Sequence, residues 1–134
     1  MSSSVKRVVF LCTENSNRSQ MAEAFARLHG AGVLDPVSAG SSPSGKINPR
    51  AVRAMAEKGY DLAVHASTSV QDLRGRSFDA VITMGCGDQC PWLPGELRED
   101  WGLPDPRDME PAAFNAVRDE IERRVLDLIA RLSS

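Results

Sequence analysis

Two patterns of hydrophobic and polar positions alternate along this chain. Residues 8–11 form a continuous apolar run, which is typical of a parallel strand covered on both faces. A polar stretch follows at residues 12–19. Apolar residues then recur at helical spacing, at Met21, Ala22, Phe25 and Leu28. The pattern therefore predicts a strand, a polar loop and a helix, in that order.

Further strands are indicated by short apolar runs bounded by turn residues. Residues 35–40 and 78–84 fit this description, and residues 101–103 are predicted to add a short fourth strand. The stretch 85–108 is rich in Gly, Pro and Asp. Long irregular segments of this kind are often functional in a compact domain, so this stretch is a candidate for binding or catalysis.

Helices are predicted between these strands. Asn48 suits an N-cap before Pro49, and Gly59 suits the helix end, while residues 69–73 form a short helix. The C-terminal helix has an apolar stripe formed by Phe114, Val117, Ile121, Val125, Leu128 and Leu132. Polar residues largely off that stripe are Arg118, Glu122, Arg123 and Arg131. The alternation predicts an α/β fold with a doubly wound parallel sheet, in a single domain over residues 1–134.

Composition limits the classes of partner. The 134 residues carry a formal net charge of only −2, so nothing favours general binding to nucleic acid or to an anionic membrane surface. The N-terminal segment lacks the apolar stretch of a signal peptide, and no segment approaches the ~20 apolar residues of a membrane span. We therefore expect a cytoplasmic protein with neither a nucleic-acid nor a membrane partner.

The three cysteines are an odd number and a poor disulfide framework. In a reducing compartment, cysteines serve better as thiols for reactivity or binding. A zinc site is not expected, because His29 and His65 are the sole histidines and neither has ligand spacing to Cys86 and Cys90. No metal and no cofactor are predicted.

Cys12 and Arg18 lie six positions apart, where the first predicted strand gives way to a helix. Backbone N–H groups of such a loop, closed by an arginine, can bind a tetrahedral oxyanion while the thiolate attacks its central atom. The helix N-terminus and the arginine both favour the thiolate. Ser19 is a candidate hydrogen-bond donor to that thiolate. Asn15 and Ser16 are candidates to hold the loop backbone in shape through side-chain hydrogen bonds. The alternative is a buried strand-end cysteine beside a surface arginine.

Cleavage of a bond to a poor leaving group calls for a proton donor. Asp105, between Pro104 and Pro106, is the candidate general acid on a stiffened backbone. The alternative is an ordinary turn aspartate beside proline. Because Cys12, Cys86 and Asp105 each follow a predicted strand, all three are expected at the same rim of the sheet.

Cys86 and Cys90 are close enough to form a disulfide if the loop bends, which Gly87 facilitates. Three thiols allow a relay in which Cys12 attacks the oxyanion, a second thiol displaces the product as a disulfide forms, and a third takes over that disulfide. The alternatives are a metal half-site or two inert buried cysteines.

Several motifs together resemble one family. They are residues 12–24 (CTENSNRSQMAEA), residues 38–40 (SAG), residues 48–52 (NPRAV), residues 84–87 (MGCG) and residues 103–106 (LPDP). The chain is similar, from about Val5 to Leu132, to the arsenate reductases built on the low-molecular-weight protein tyrosine phosphatase fold.

The resemblance implies a three-layer fold with a four-stranded parallel sheet flanked by helices. It implies reduction of arsenate, with Cys12 as nucleophile, Arg18 as oxyanion clamp, Asp105 as general acid, and Cys86 and Cys90 as a redox relay. Phosphate and sulfate are the expected competing oxyanions, and thioredoxin is the usual reductant. The implied oxyanion-binding residues are Thr13, Glu14, Asn15, Ser16, Asn17, Arg18 and Ser19.

Three positions depart from the family pattern. Glu14 stands where glycine is frequent, and we expect its side chain to point outward. Asn17 replaces a cysteine or small residue of many relatives, which removes no relay thiol. The interval between Cys86 and Cys90 is shorter than in thioredoxin-linked members, so a low-molecular-weight thiol such as mycothiol or glutathione, the latter with glutaredoxin, is the alternative reductant.

Other functions remain open at this point. A phosphotyrosine phosphatase resembles the chain in the anion loop and at Asp105-Pro106, but such enzymes typically carry aromatic residues next, where Arg107 and Asp108 stand here. An arsenate transferase to a small thiol is a further alternative. A non-enzymatic arsenite sensor would need the three cysteines but not Asp105.

Overall fold

The computed structural model describes residues 5–85 and 93–133. Within these ranges the strands are β1 (Lys6–Cys12), β2 (Leu34–Gly40), β3 (Phe78–Thr83) and β4 (Gly95–Asp100). The helices are α1 (Arg18–His29), α2 (Pro49–Ala56) and α3 (Pro111–Leu132), with short 3₁₀ helices at Leu62–Val64 and Val70–Leu73. None of the helices within the described ranges is long and apolar enough to cross a membrane.

The strands form one parallel sheet with the order β2-β1-β3-β4. In the centre, Val9 of β1 is in register with Val37 of β2 and Val81 of β3. At the end of β1, Cys12 lies opposite Gly40. Because all strands are parallel, their carboxyl ends share one edge, which is where ligands bind in such folds. The predicted four-stranded parallel sheet flanked by helices is confirmed.

The sheet is apolar on both faces. On one face Val8 and Phe10 of β1 belong to the core that includes residues of α1, α2 and α3. On the other face Val9 and Leu11 pack with the 3₁₀ helix Val70–Leu73. All four residues of this β1 run are fully buried. This explains why the run is continuous rather than alternating.

The predicted fourth strand at residues 101–103 is wrong in position. The strand is β4, which ends at Asp100, although Trp101 N still donates to Thr83 O at 2.8 Å. β4 is an edge strand, and its residues alternate between half-buried and exposed positions. Charged residues on an edge strand break the apolar run that sequence reasoning looks for.

Helix boundaries and faces differ slightly from the predictions. α2 ends at Ala56, and Gly59 adopts φ +83° in the turn that follows. The short helix before β3 is confirmed, with Ser69 as its N-cap. The prediction that Arg118 lies largely off the buried stripe of α3 is wrong: it is 7% exposed, and its Nη1 donates to Ala54 O at 3.0 Å. Its position between Phe114 and Ile121 turns it toward α2, where a backbone acceptor compensates its burial.

Candidate active site

Cys12 is the last residue of β1, and α1 begins six residues later at Arg18. We call residues 12–18 the nucleophile loop. The thiol is 3% exposed. Its Sγ lies 2.8 Å from Ser19 Oγ and accepts a hydrogen bond from Asn15 N at 3.3 Å. Two polar groups and the N-terminal end of a helix thus surround one sulfur, an arrangement that stabilises negative charge there.

Asn15 holds the loop from inside. Its backbone is left-handed, with φ +53°, a conformation that asparagine tolerates better than most residues. Its Nδ2 donates to Ser19 Oγ at 2.9 Å, and its Oδ1 accepts from Thr68 N at 2.6 Å and from Gln20 Nε2 at 2.9 Å. The Asn15 side chain thus links the loop to α1 and to Thr68. The same side chain also orients the hydroxyl that faces Cys12.

The loop carbonyls are bound from outside. Thr13 O accepts from Ser42 N at 2.8 Å, and Ser16 O accepts from Asn48 N at 3.1 Å. Ser16 therefore supports the loop through its backbone carbonyl. Gly40 packs so tightly here that a Cβ atom on it would lie 2.4 Å from Thr13 O. Only a residue without a side chain fits at this point.

Asn17 and Arg18 end the loop. Asn17 is buried, and within the described ranges its Oδ1 has no hydrogen-bond partner. Arg18 Nη1 donates to Met84 O at 2.7 Å and to Leu103 O at 2.8 Å. Arg18 therefore links the nucleophile loop to the end of β3 and to the segment that follows β4.

The segment that follows β4 carries Asp105. We call residues 104–109 the acid loop. Asp105 is exposed, and its Oδ1 accepts from Arg107 N at 3.1 Å. It does not directly follow a strand, because β4 ends at Asp100. Nevertheless the Arg18 bond to Leu103 O, two residues earlier, brings this segment to the same edge of the sheet as Cys12.

The Glu14 side chain is partly exposed, and it has a partner. Its two carboxylate oxygens lie 3.2 and 3.0 Å from Arg107 Nη1, and their negative charge raises the pKa of the Arg107 guanidinium. The side chains of Glu14 and Arg107 are 44% and 51% exposed. This ion pair directly connects the nucleophile loop with the acid loop.

Cys86 and Cys90 lie outside the described residues. The residues that lead into this segment are described. Gly85 N donates to Asp100 Oδ1 at 2.8 Å, and Met84 O is bound by Arg18. The residues immediately before Cys86 are therefore held next to the nucleophile loop.

A buried polar chain behind the loop was not predicted. Gln20 Nε2 donates to Asn15 O at 3.0 Å, and Gln20 Oε1 lies 2.9 Å from His65 Nδ1. The other ring nitrogen of His65 lies 2.6 Å from Tyr60 Oη. Since an amide oxygen can only accept, Nδ1 carries the hydrogen and neutral His65 accepts from Tyr60. Burial lowers the pKa of His65, which favours this neutral form.

One feature of the sequence could have indicated this hydrogen-bonded series of residues. Gln20 is fully buried and lies four residues before Ala24, on the buried side of α1. A polar residue at such a position needs hydrogen-bond partners. Among the residues that the structure describes, no group of three or more His, Cys, Asp and Glu side chains is placed to hold a metal ion.

Comparisons with known proteins agree with this geometry. Residues 7–134 match the family described as low molecular weight phosphotyrosine protein phosphatase. The glutaredoxin arsenate reductase of Synechocystis sp. is 39% identical, over 96% of this chain and 100% of that protein.

Solved structures give the same result. One described as an arsenate reductase in the phosphate binding state has a TM-score of 0.88 and 38% identity, over 96% of this chain and 99% of that one. A thioredoxin-dependent arsenate reductase from Corynebacterium glutamicum has a TM-score of 0.82 and 32% identity, over 99% of this chain and 64% of that one. This chain therefore belongs to the low molecular weight phosphotyrosine protein phosphatase family and, within it, to the arsenate reductases.

Proposed function

We propose that Cys12 is the nucleophile with which this enzyme reduces arsenate to arsenite. The observation that carries the proposal is the environment of its Sγ, which lies within hydrogen-bond distance of Ser19 Oγ and Asn15 N at the N-terminal end of α1. The thiolate attacks arsenic, a sulfur–arsenic bond forms, and an oxygen leaves as water after it is protonated. The product of this step is an arseno-cysteine adduct.

Arg18 and the nucleophile loop are proposed to bind the oxyanion. Both bonds of Arg18 within the described residues use Nη1, so the Nε and Nη2 hydrogens of its planar fork remain for two arsenate oxygens. The bonds that hold the carbonyls of Thr13 and Ser16 from outside support a cradle of backbone N–H groups inside. The proposed binding residues are Thr13, Glu14, Asn15, Ser16, Asn17, Arg18 and Ser19.

Asp105 is proposed to donate the proton to the leaving oxygen. Its exposure leaves the carboxyl accessible to a substrate, and the bond between Arg18 and Leu103 O supports its approach to the bound anion. Arg107 and Asp108 directly follow Asp105-Pro106, where phosphotyrosine phosphatases typically carry the aromatic residues of a phenol site. The extra cysteines likewise have no use in phosphate hydrolysis.

The two electrons that reduce arsenate to arsenite are proposed to come from a thiol relay. Cys86 attacks Cys12 Sγ, a Cys12–Cys86 disulfide forms, and the electron pair of the sulfur–arsenic bond leaves with arsenic as arsenite. Cys90 then attacks Cys86 and releases Cys12 as a thiol. The position of Met84 and Gly85 beside the nucleophile loop supports the first attack. A relay of free thiols requires a reducing compartment, which supports a cytoplasmic location.

The resulting Cys86–Cys90 disulfide must be reduced by an external thiol. The names of the two relatives point to different donors, glutaredoxin for the Synechocystis enzyme and thioredoxin for the Corynebacterium enzyme. We propose thioredoxin as the reductant, with a low-molecular-weight thiol as the alternative. Arsenate turnover with thioredoxin, glutathione and glutaredoxin, or mycothiol, assayed side by side, distinguishes these donors.

Trapping the relay tests the mechanism. Reduced Cys90→Ser should release one equivalent of arsenite and stop as a Cys12–Cys86 disulfide, whereas Cys86→Ser should stop at the adduct and Cys12→Ser should not react. Peptide mapping after arsenate treatment identifies the linkage. Free thiols throughout, with multiple turnover of Cys90→Ser under thioredoxin, would contradict the relay. Phosphate-ester hydrolysis that is indifferent to both substitutions would instead indicate a phosphatase.

A further inference from the structure

The Glu14–Arg107 ion pair connects the two loops on which the proposed chemistry depends. Glu14 lies two residues after Cys12, and Arg107 lies two residues after Asp105. One guanidinium nitrogen, Nη1, contacts both oxygens of the Glu14 carboxylate. The pair therefore joins the two loops at positions that each lie two residues after a proposed catalytic residue.

Arg107 also holds Asp105 directly. Its backbone N–H donates to Asp105 Oδ1 at 3.1 Å, so a single residue binds Asp105 through its backbone and Glu14 through its side chain. Displacement of the Arg107 backbone would change the orientation of the Asp105 carboxyl. A shift of the Arg107 side chain can therefore change the position of the Asp105 carboxyl through the backbone of Arg107.

Both ends of the pair are fixed to the rest of the protein. Glu14 O accepts from Ser44 N at 3.0 Å and from Ser67 Oγ at 3.2 Å, which holds its backbone. Arg107 O accepts from Arg50 Nη1, and the Arg50 guanidinium lies 5.0 Å from the centre of the Phe114 ring. The pair consequently joins two anchored loops rather than two mobile ones.

We propose that Glu14 and Arg107 are positioning residues, which hold Asp105 at the proposed oxyanion site and balance each other's charge beside it. The proposal rests on the proposed function, in which Asp105 is the acid. A lone carboxylate at residue 14 would repel an incoming dianion, and a lone guanidinium at residue 107 would attract and retain it. As a pair they leave the net charge beside this site unchanged while they orient Asp105.

Single-turnover arsenite release by the reduced enzyme measures this role, with the maximal rate separated from the half-saturating arsenate concentration. At low salt, Glu14→Gln and Arg107→Gln should each lower the maximal rate by about two- to fivefold, the range for an exposed ion pair. The half-saturating concentration should fall in Glu14→Gln and rise in Arg107→Gln. Both effects should fade near 1 M salt, where the Debye length is only ~3 Å.

Combined variants exclude a merely structural explanation. The double variant Glu14→Gln, Arg107→Gln should be no slower than either single variant, because the pair is lost only once. The exchanged pair Glu14→Arg, Arg107→Glu should recover most of the maximal rate. Glu120→Gln, which removes a partly exposed carboxylate paired with Arg123 and Arg124 on α3, is the matched control and should behave as wild type.

Asp105→Asn separates the positioning role of the ion pair from the acid role of Asp105. If Asp105→Asn is slow and further loss of the pair has no effect in that background, the pair acts through Asp105. If Asp105→Asn is slow but the single variants match wild type, or their losses add in the double variant, the positioning role is refuted and the acid assignment stands. An unchanged rate in Asp105→Asn would refute the acid assignment itself.

Discussion

The hydrogen bond between Ser19 and Cys12 should determine how fast the Cys12 sulfur reacts. Ser19 Oγ lies 2.8 Å from Cys12 Sγ, and it also accepts from Asn15 Nδ2 at 2.9 Å. A thiolate can only accept, so in the reactive form the hydroxyl hydrogen of Ser19 points at the sulfur. Ser19→Ala removes this donor and leaves Asn15 N as the remaining described donor to the sulfur.

The size of the effect follows from the charge on the acceptor. A hydrogen bond to a charged group contributes about 1.5–3 kcal/mol, which corresponds to a factor of ~10–150 when the bond is lost. A sulfur that loses a donor is intrinsically more nucleophilic, with a Brønsted slope of ~0.4–0.5, and this recovers part of the loss. The net loss in alkylation rate is therefore about 4- to 20-fold.

Alkylation by iodoacetamide measures this rate directly. With Cys86→Ser and Cys90→Ser in the background, Cys12 is the only thiol of the chain. Ser67→Ala is the matched control, because Ser67 Oγ donates to Glu14 O in the same loop and its bond does not involve the sulfur. Equal alkylation rates for Ser19→Ala and its parent, or an equal loss in Ser67→Ala, would refute the role given to the hydroxyl.

Two further predictions concern the support of the loop. Gly40→Ala should lower the free energy of unfolding by about 1–3 kcal/mol and weaken arsenate binding, since its Cβ would lie 2.4 Å from Thr13 O; wild-type values in denaturation and binding assays would contradict this. Burial lowers the pKa of His65 in the folded protein, so His65 binds a proton more readily in the unfolded state. The free energy of unfolding should therefore fall as the pH drops below ~6.5, the ordinary pKa of histidine, and level off below the folded-state pKa. Urea denaturation should show a smaller fall in His65→Gln than in wild type or His29→Gln, and equal falls in all three proteins would exclude this role.

The nucleophile loop could be predicted from sequence because its determinants are local. A continuous apolar run defines β1, helical spacing defines α1, and Cys12 and Arg18 stand at the junction between them. The contact between Ser19 and Cys12 follows from the same short segment. These elements needed no information about distant parts of the chain.

Features that depend on distant partners were missed or misplaced. β4 lies at the sheet edge and contains several charged residues, so it lacks the apolar run by which strands are recognised in a sequence. The fourth strand is therefore predicted at residues 101–103 instead. Arg118 was placed off the buried stripe because its acceptor, Ala54 O, belongs to another helix. The ion-pair partner of Glu14 is Arg107, 93 residues away in the sequence, and no local sequence pattern predicts such a pair.

The distant contacts explain how a loop of polar residues keeps one shape. Asn15 has a left-handed backbone, which costs free energy and persists because its surroundings hold it there. Gln20 and Thr68 supply that support, and Gln20 is in turn held by His65. The loop proposed to bind the oxyanion is therefore held in one shape beforehand, and preorganised donors stabilise developing charge without a cost of reorganisation. In this proposal the sequence of the loop specifies which groups meet the anion, while residues far along the chain keep those groups in place.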